Sequence, residues 1–377
     1  IVGGGTPSTK NPEYWDGDIN WYSPAEIGNQ IYTEKSERQI TELGLKKSSA
    51  KLLPVGTVLF TSRAGIGKTA ILNKEACTNQ GFQSIIPRSK MLNSYFLFSR
   101  TNSLKQYGET MGSGSTFVEV SGKQMSKMPL FIPNINEQSK IAKLFQSLDR
   151  TITLHEEKQR QLERLKKALL QKMFADKTGY PALRFKGFTE KWEQRKLGEI
   201  ADVSSGTSID SRATHGRNRV TRIETIANGE IDYKHIGWTN ENIDPRYNLK
   251  INDILYSNIN SIDHIGKNAI IKTLPFPLYH GMNLLRIVPR INSLFMFYSL
   301  NTIEHRIWAK SHANKAVSQA SINQSTLNNQ PFKVPKLEEQ EKIGQLFQSL
   351  DRTITLHDQK IQYLKQLKRG LLQKMFI

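Results

Sequence analysis

The segment from Glu137 to Phe174 returns almost unchanged from Glu339 to Phe376, with about two-thirds of positions identical. Each copy closes a stretch of about 200 residues, so the chain is constrained to fold as a duplication. Within the first copy, apolar residues recur at steps of three and four or their sums: Ile141, Leu144, Leu148, Ile152, Leu162, Leu169. The second copy repeats the stripe as Ile343, Leu346, Leu350, Ile354, Leu364, Leu371. That period marks a long amphipathic helix in each copy, and neither is interrupted by proline. About 38 residues at 1.5 Å each give a rod of about 57 Å. Such a stripe is costly to leave in water, and its economical partner is the other copy, packed antiparallel as a coiled coil. The twelve residues named are the expected packing contacts of that pair. His155 and His357 lie on the stripes and read as packed structural residues rather than metal or catalytic ones.

Ahead of the helices the two halves correspond only weakly. Val55–Ser62 matches Ile251–Asn258, and Gly67–Ile71 matches Gly266–Ile270. Pro129–Pro133 matches Pro331–Pro335. The matched pieces are short β-branched and aromatic runs closed by Gly, Asn or Asp, the pattern of strands and turns. Each half thus reads as a mixed α+β head. Between the matched pieces, 100–123 against 299–324 and 11–47 against 209–244 share almost no side chains, yet all are polar. Matched scaffolds holding unlike polar loops suit a protein that reads two different things.

The formal net charge of +19 is the footprint of a nucleic-acid partner. A membrane is not expected, because no run of about 18 apolar residues occurs. The single cysteine, Cys77, permits no intramolecular disulfide and reads as a small buried residue in a reducing compartment.

Motifs for catalysis are weak. Gly65-Ile66-Gly67-Lys68-Thr69 resembles the end of a phosphate-binding loop, but Ser62 stands where the first glycine belongs, and the second half reads Gly266-Lys267-Asn268. A glycine turn between strands is the simpler reading. An autonomous enzyme using Gly65–Thr69 as a phosphate cradle is the alternative that loss of nucleotide binding in Lys68→Ala would support. Asn11-Pro12-Glu13-Tyr14 lacks the second proline of an adenine-methyltransferase motif, and no zinc-spaced Cys/His cluster is present. No catalytic and no metal residue is therefore assigned.

Candidate DNA contacts are polar or basic loop residues with aromatics interleaved. In the first head they are Thr6, Ser8, Lys10, Tyr22, Ser23, Arg63, Lys68, Ser113, Ser115 and Lys123. In the second they are Thr207, Arg212, Arg217, Arg219, Lys234, Asn258, Lys267, Asn314, Lys315 and Gln319.

Pro181-Ala182-Leu183-Arg184-Phe185, the lead-in Trp192–Ile200, and the two ends running from Glu-Gln-x-Lys-Ile to Leu-Leu-Gln-Lys-Met-Phe resemble the specificity subunit of type I restriction–modification enzymes. The resemblance covers essentially the whole chain. It implies an α+β fold: two target-recognition domains in pseudo-twofold tandem, separated by two long antiparallel helices. The expected boundaries are 1–133 and 176–335 for the recognition domains, the latter with its lead-in, and 134–175 and 336–377 for the helices. The resemblance further implies that each domain reads half of a split, asymmetric site in double-stranded DNA. Two modification subunits would dock on the helices and methylate adenine, and restriction subunits would add translocation and cleavage. S-adenosylmethionine, ATP and magnesium would then be bound by those partners, with no cofactor in this chain, in a bacterial or archaeal cytoplasm. Nothing like Trp192–Ile200 precedes Ile1, so further residues are expected N-terminal to it. A basic coiled-coil scaffold binding nucleic acid nonspecifically is the second reading.

Overall fold

The computed structural model describes residues 1–28, 30–63, 65–112, 118–210, 213–227, 229–315 and 319–376. They form two compact units: 1–156 with 360–377, and 157–359. The long helices, Ile135–Lys172 and Leu337–Met375, each contribute residues to both units.

In the first unit, Trp15–Tyr22 pairs antiparallel with Arg38–Ile40 and parallel with Ala76–Thr78. A hairpin of Val58–Phe60 and Thr69–Ile71 lies on the core side, its residues all buried. Helix Ser94–Ser99 starts at Asn93, whose side chain accepts from the Tyr95 and Phe96 amides, and it buries Tyr95, Phe96 and Leu97. Those three rings and chains, with Val58, Phe60 and Leu104, form the core into which Ile141 and Phe145 of the first long helix insert. Leu371, Leu372 and Phe376 of the second long helix pack on the same cluster. Phe376 stacks on Phe145 at 5.9 Å and meets Phe96 edge-on at 5.3 Å. Two ion pairs, Asp149–Lys368 and Glu156–Lys365, advance along one helix while receding along the other, so the helices run antiparallel here.

The second unit repeats the plan. An antiparallel sheet runs in the order Asn268–Ile270, Ile254–Tyr256, Leu285–Pro289, Ala201–Ser205. Helix Ser293–Ser299, capped by Asn292, supplies Phe295 and Tyr298. Phe347 of the second long helix and Phe174, just beyond the first, stack with them. The lead-in strand Glu193–Lys196 pairs with Pro331–Val334, and Arg184 grips Glu339 through two bonds of 2.7 and 2.8 Å.

Buried glutamines at the same place in each repeat fasten head to helix. Gln138 accepts from the Asn93 amide at 3.0 Å and donates to the Pro133 carbonyl at 2.8 Å. Gln340 does the same with Asn292 and Pro335 at 3.0 and 2.8 Å. A buried amide satisfied on both ends specifies geometry, because misplacing it strands its polar atoms.

The stripe is not the simple coiled-coil seam expected from its period. Ile141, Leu148 and Leu371 pack on the first head's core, and Leu169, Ile343, Leu346 and Leu350 on the second's. The aromatic helices Ser94–Ser99 and Ser293–Ser299 offer a better apolar surface than a second amphipathic helix could. Ile152 and Leu364 are buried, Leu162 and Ile354 half-buried, whereas Leu144 is 41 % exposed and drops out of the packing set. Among the described residues no helix is long and apolar enough to cross a membrane.

Candidate nucleic-acid interface

The glycine turns decide how much of each head can face a ligand. In the first unit the Thr61 hydroxyl donates to the Gly65 carbonyl at 2.7 Å and accepts from the Lys68 amide at 2.9 Å, closing a tight loop between antiparallel strands. Gly67 has φ +94°, and a Cβ there would fall 2.3 Å from Lys105 Cγ. Gly266, with φ +80°, fills the same role against Ala309 in the second unit. A phosphate-binding loop needs a helix N-terminus after the glycines; here a strand follows, and the segment is a hairpin.

The turns present Arg63 half-buried and Lys68 exposed in the first unit, and Lys267 exposed in the second. A second segment comes up beside each turn. The Val120 amide donates to the Ser62 carbonyl at 3.0 Å, and exposed Lys123 follows three residues later in the chain. At the matching place the Ile322 amide donates to the Asn258 carbonyl at 2.8 Å, and the Asn258 side chain donates back at 3.2 Å. There Ile259–Asn260, Ala320–Ser321 and Asn314–Lys315 form a small antiparallel ribbon. Asn258, Lys267, Asn314, Lys315 and Gln319 are thereby gathered at one end of the head. Ser113, Ser115 and Arg212 lie outside the described residues.

A separate group in the first unit holds Thr6, Ser8 and Lys10. The loop is tied down by two indoles: Trp15 Nε1 donates to the Ser8 carbonyl at 3.1 Å and Trp21 Nε1 to the Gly5 carbonyl at 2.9 Å. Over Trp15 lies the exposed Arg38, its guanidinium carbon 3.5 Å from the ring centroid. The second unit has a counterpart in chemistry on the hairpin of Asn218–Val220 and Gly237–Thr239. Arg219 sits between Trp238 and Phe276, at 4.6 and 4.1 Å, and Arg217 and Lys234 in the same unit are exposed. Stacking removes rotamer freedom from a guanidinium while leaving its donors for a phosphate or a guanine edge.

Two expected contacts are corrected. Tyr22 is 2 % exposed in the core formed with Ile27, Leu59 and Phe82, since strand alternation turns it inward. Thr207 is buried, its amide bound to the His280 carbonyl at 2.9 Å. Ser23 is half-buried and begins the Pro24–Glu26 turn, its amide donating to Glu26 at 2.7 Å. Arg38 was not anticipated; an arginine two residues before a buried Ile40, opposite Trp21 in register, is the signal that marks it.

The model for the type I restriction modification DNA specificity domain matches residues 1–164 and again 189–366. The chain belongs to that family. A specificity subunit of the type I restriction enzyme MjaIX from Methanocaldococcus jannaschii is 28 % identical over 393 residues, covering 100 % of this chain and 90 % of that protein. That of EcoR124I/EcoR124II from Escherichia coli is 30 % identical over 155 residues, 39 % of this chain and 38 % of that protein. The fold is shared with the type I system S subunit from M. genitalium, TM-score 0.60 at 16 % identity, covering 100 % of this chain and 96 % of that one. It is shared too with the HsdS subunit from Thermoanaerobacter tengcongensis, TM-score 0.51 at 18 % identity, covering 100 % and 94 %. The family's domain thus occurs twice, once in each half of the duplication, and the scaffold alternative finds no support in these matches.

Proposed function

We propose that this chain is the DNA-specificity subunit of a type I restriction–modification complex, each head reading one half of a split, asymmetric site. The observation that carries the reading is the pairing of equivalent scaffolds with inequivalent contact groups: Arg63, Lys68 and Lys123 on one head, the Asn258–Gln319 ribbon on the other. Phosphate contacts position a protein on DNA, whereas unlike side chains at base edges give unlike half-sites. The long helices act as the spacer between the two modules. Two modification subunits dock on the pseudo-equivalent helical surfaces and bring S-adenosylmethionine. Restriction subunits bring ATP and magnesium, so this chain itself performs no covalent step. Such a complex works in a bacterial or archaeal cytoplasm.

The test is methylome sequencing of cells expressing the full-length protein with and without its cognate modification subunit. An interrupted, asymmetric motif carrying N6-methyladenine only when both are present is expected. Equal affinity of the purified complex for every duplex at fixed salt, with no motif, would point instead to nonspecific binding.

A further inference from the structure

Three side chains meet identically in the two units. Tyr95 donates its hydroxyl proton to Asp149 Oδ2 at 2.8 Å, while the Lys368 ammonium binds Oδ1 of the same carboxylate. In the other unit Tyr298 donates to Asp351 Oδ2 at 2.8 Å, and Lys166 binds Oδ1. The tyrosine comes from the head, the aspartate from the long helix that follows that head, and the lysine from the other long helix. Asp149 and Asp351 hold the same repeat position, as do Lys166 and Lys368, so the same two residues of the module are cross-paired twice.

The periodic apolar stripes supply this information only weakly, and the Phe376 contacts with Phe96 and Phe145 bear on one end of the pair alone. Leu, Ile and Met recur along both helices at steps of three and four, so a slip of one turn, about 5.4 Å, brings apolar side chains opposite apolar side chains again. The same slip would carry each ammonium away from its carboxylate. Asp149, with its side chain 9 % exposed, would then keep the Tyr95 hydroxyl but lose its counter-charge, a largely buried carboxylate left without a cation. A single polar pair within an apolar seam is a known way to fix register. Burial and the facing carboxylate hold both phenols well above their ordinary pKa, so each remains a donor at neutral pH.

We propose that the triads Tyr95–Asp149–Lys368 and Tyr298–Asp351–Lys166 are the register pins of the helix pair, and that they set which spacer length between half-sites the protein accepts. This rests on the specificity-subunit reading and adds the residues that make the spacer single-valued. The triads act through the helices as positioning groups.

The experiment uses the full-length protein with its modification subunit and compares wild type with three double variants: Lys166→Met/Lys368→Met, Lys166→Arg/Lys368→Arg, and Tyr95→Phe/Tyr298→Phe. Methylomes report half-site sequence and spacer separately. Expected is one spacer in wild type and in the arginine variant. The methionine variant should keep both half-sites while discrimination against spacers one base pair off falls at least about tenfold, the scale of one coupled polar interaction. The phenylalanine variant, which removes one hydroxyl per unit and is the mildest to fold, should fall between. A single unchanged spacer in both the methionine and phenylalanine variants overturns the proposal. Register is also read without DNA, from the distance between spin labels on Lys143→Cys and Lys374→Cys, both exposed positions within the first unit. A narrow distribution that broadens with Lys368→Met supports the pin, and one that stays narrow overturns it. A wild-type chain that gives no methylated motif counts against the specificity reading, while the label distances still decide the pin.

Discussion

The two triads are the same three residues in two different surroundings. In the first unit the Asp149 side chain is 9 % exposed; in the second, Asp351 is 21 % exposed. The difference comes from a cleft of ≈ 730 Å³ in the second unit, lined by Lys166, Tyr298 and Asp351 and by the basic groups Lys267, Lys272, Arg306 and Lys310. Water reaching a carboxylate weakens its attraction for an ammonium but also lowers the cost of losing that ammonium. Identical sequence in a duplicated module thus fixes geometry, while the head packed beside it sets the energy.

The units differ most in buried histidine. His280 and His305 are both buried in the second unit, whereas the first unit's histidine is His155, half-buried on the long helix. Burial lowers His280 from 6.5 to about 4 and His305 to about 3. Both are neutral in the folded chain, so their contribution to stability is intact above pH 6.5. It is lost as pH falls toward the folded values, because only the unfolded chain takes up the protons. By pH 5 the loss is about 2 kcal/mol for each, about 4 kcal/mol together, in the second unit alone. Hydrogen exchange of the full chain, corrected for intrinsic rates, should show Ile254–Tyr256 and Leu285–Pro289 losing protection before Val58–Phe60. Equal loss in both units would break the comparison.

Removing the carboxylate of each triad is the next largest effect. Asp149→Ala leaves a buried phenol and an ammonium unpaired and should cost about 3 kcal/mol, within the range for breaking a buried pair. Asp351→Ala, with water at hand, should cost about 1 kcal/mol. Urea unfolding of the purified variants, followed by exchange in each unit, measures both. The reverse order would mean that the cleft does not relieve the charge.

The stacked arginines give a smaller contrast, in binding. Arg38 rests on the Trp15 indole at 3.5 Å with the Trp21 ring farther off at 5.9 Å, whereas Arg219 lies at 4.6 and 4.1 Å from Trp238 and Phe276. Losing either should lower binding by about 1 kcal/mol, roughly fivefold, with relaxed choice only in the half-site that its own head reads. Methylation of a randomised site library by the Arg38→Ala and Arg219→Ala complexes checks this. Relaxation of both half-sites by one substitution would contradict independent heads.

What was legible in the sequence follows from period and repetition. The two long helices, the two mixed heads and the matched turns at Gly67 and Gly266 could be read because each leaves a local signature: a 3.6-residue stripe, a duplicated run, a glycine between β-branched segments. The packing partner of the stripe could not be read in the same way. Ile141 and Ile343 have the same spacing whether they face a helix or an aromatic core, and only the tertiary structure chooses the core. Asp149 and Asp351 carry no local signal of their role, because a charge on a helix names no partner; their tyrosines lie some fifty residues upstream, in the heads. Tyr22 failed for the converse reason. An aromatic in a polar stretch looks exposed until strand alternation and the Phe82 contact place it inside.

The smallest expected effect is a control on the pins. Glu156 and Lys365 also bridge the two long helices in the first unit, at 2.7 Å, but their side chains are 34 % and 49 % exposed. An exposed pair gains little over hydration and is screened by salt, so the coupling should be about 0.5 kcal/mol and vanish near 1 M salt. A double-mutant cycle of Glu156→Ala and Lys365→Ala measures it, beside a cycle of Asp149→Asn and Lys368→Met in the same background. The second coupling should be several times larger and nearly independent of salt, because water is excluded from Asp149 and the Tyr95 hydroxyl holds the carboxylate in place. If the two couplings are equal, the Asp149 triad is one more surface ion pair, and the register of the helices must come from the buried glutamines and the terminal aromatics instead.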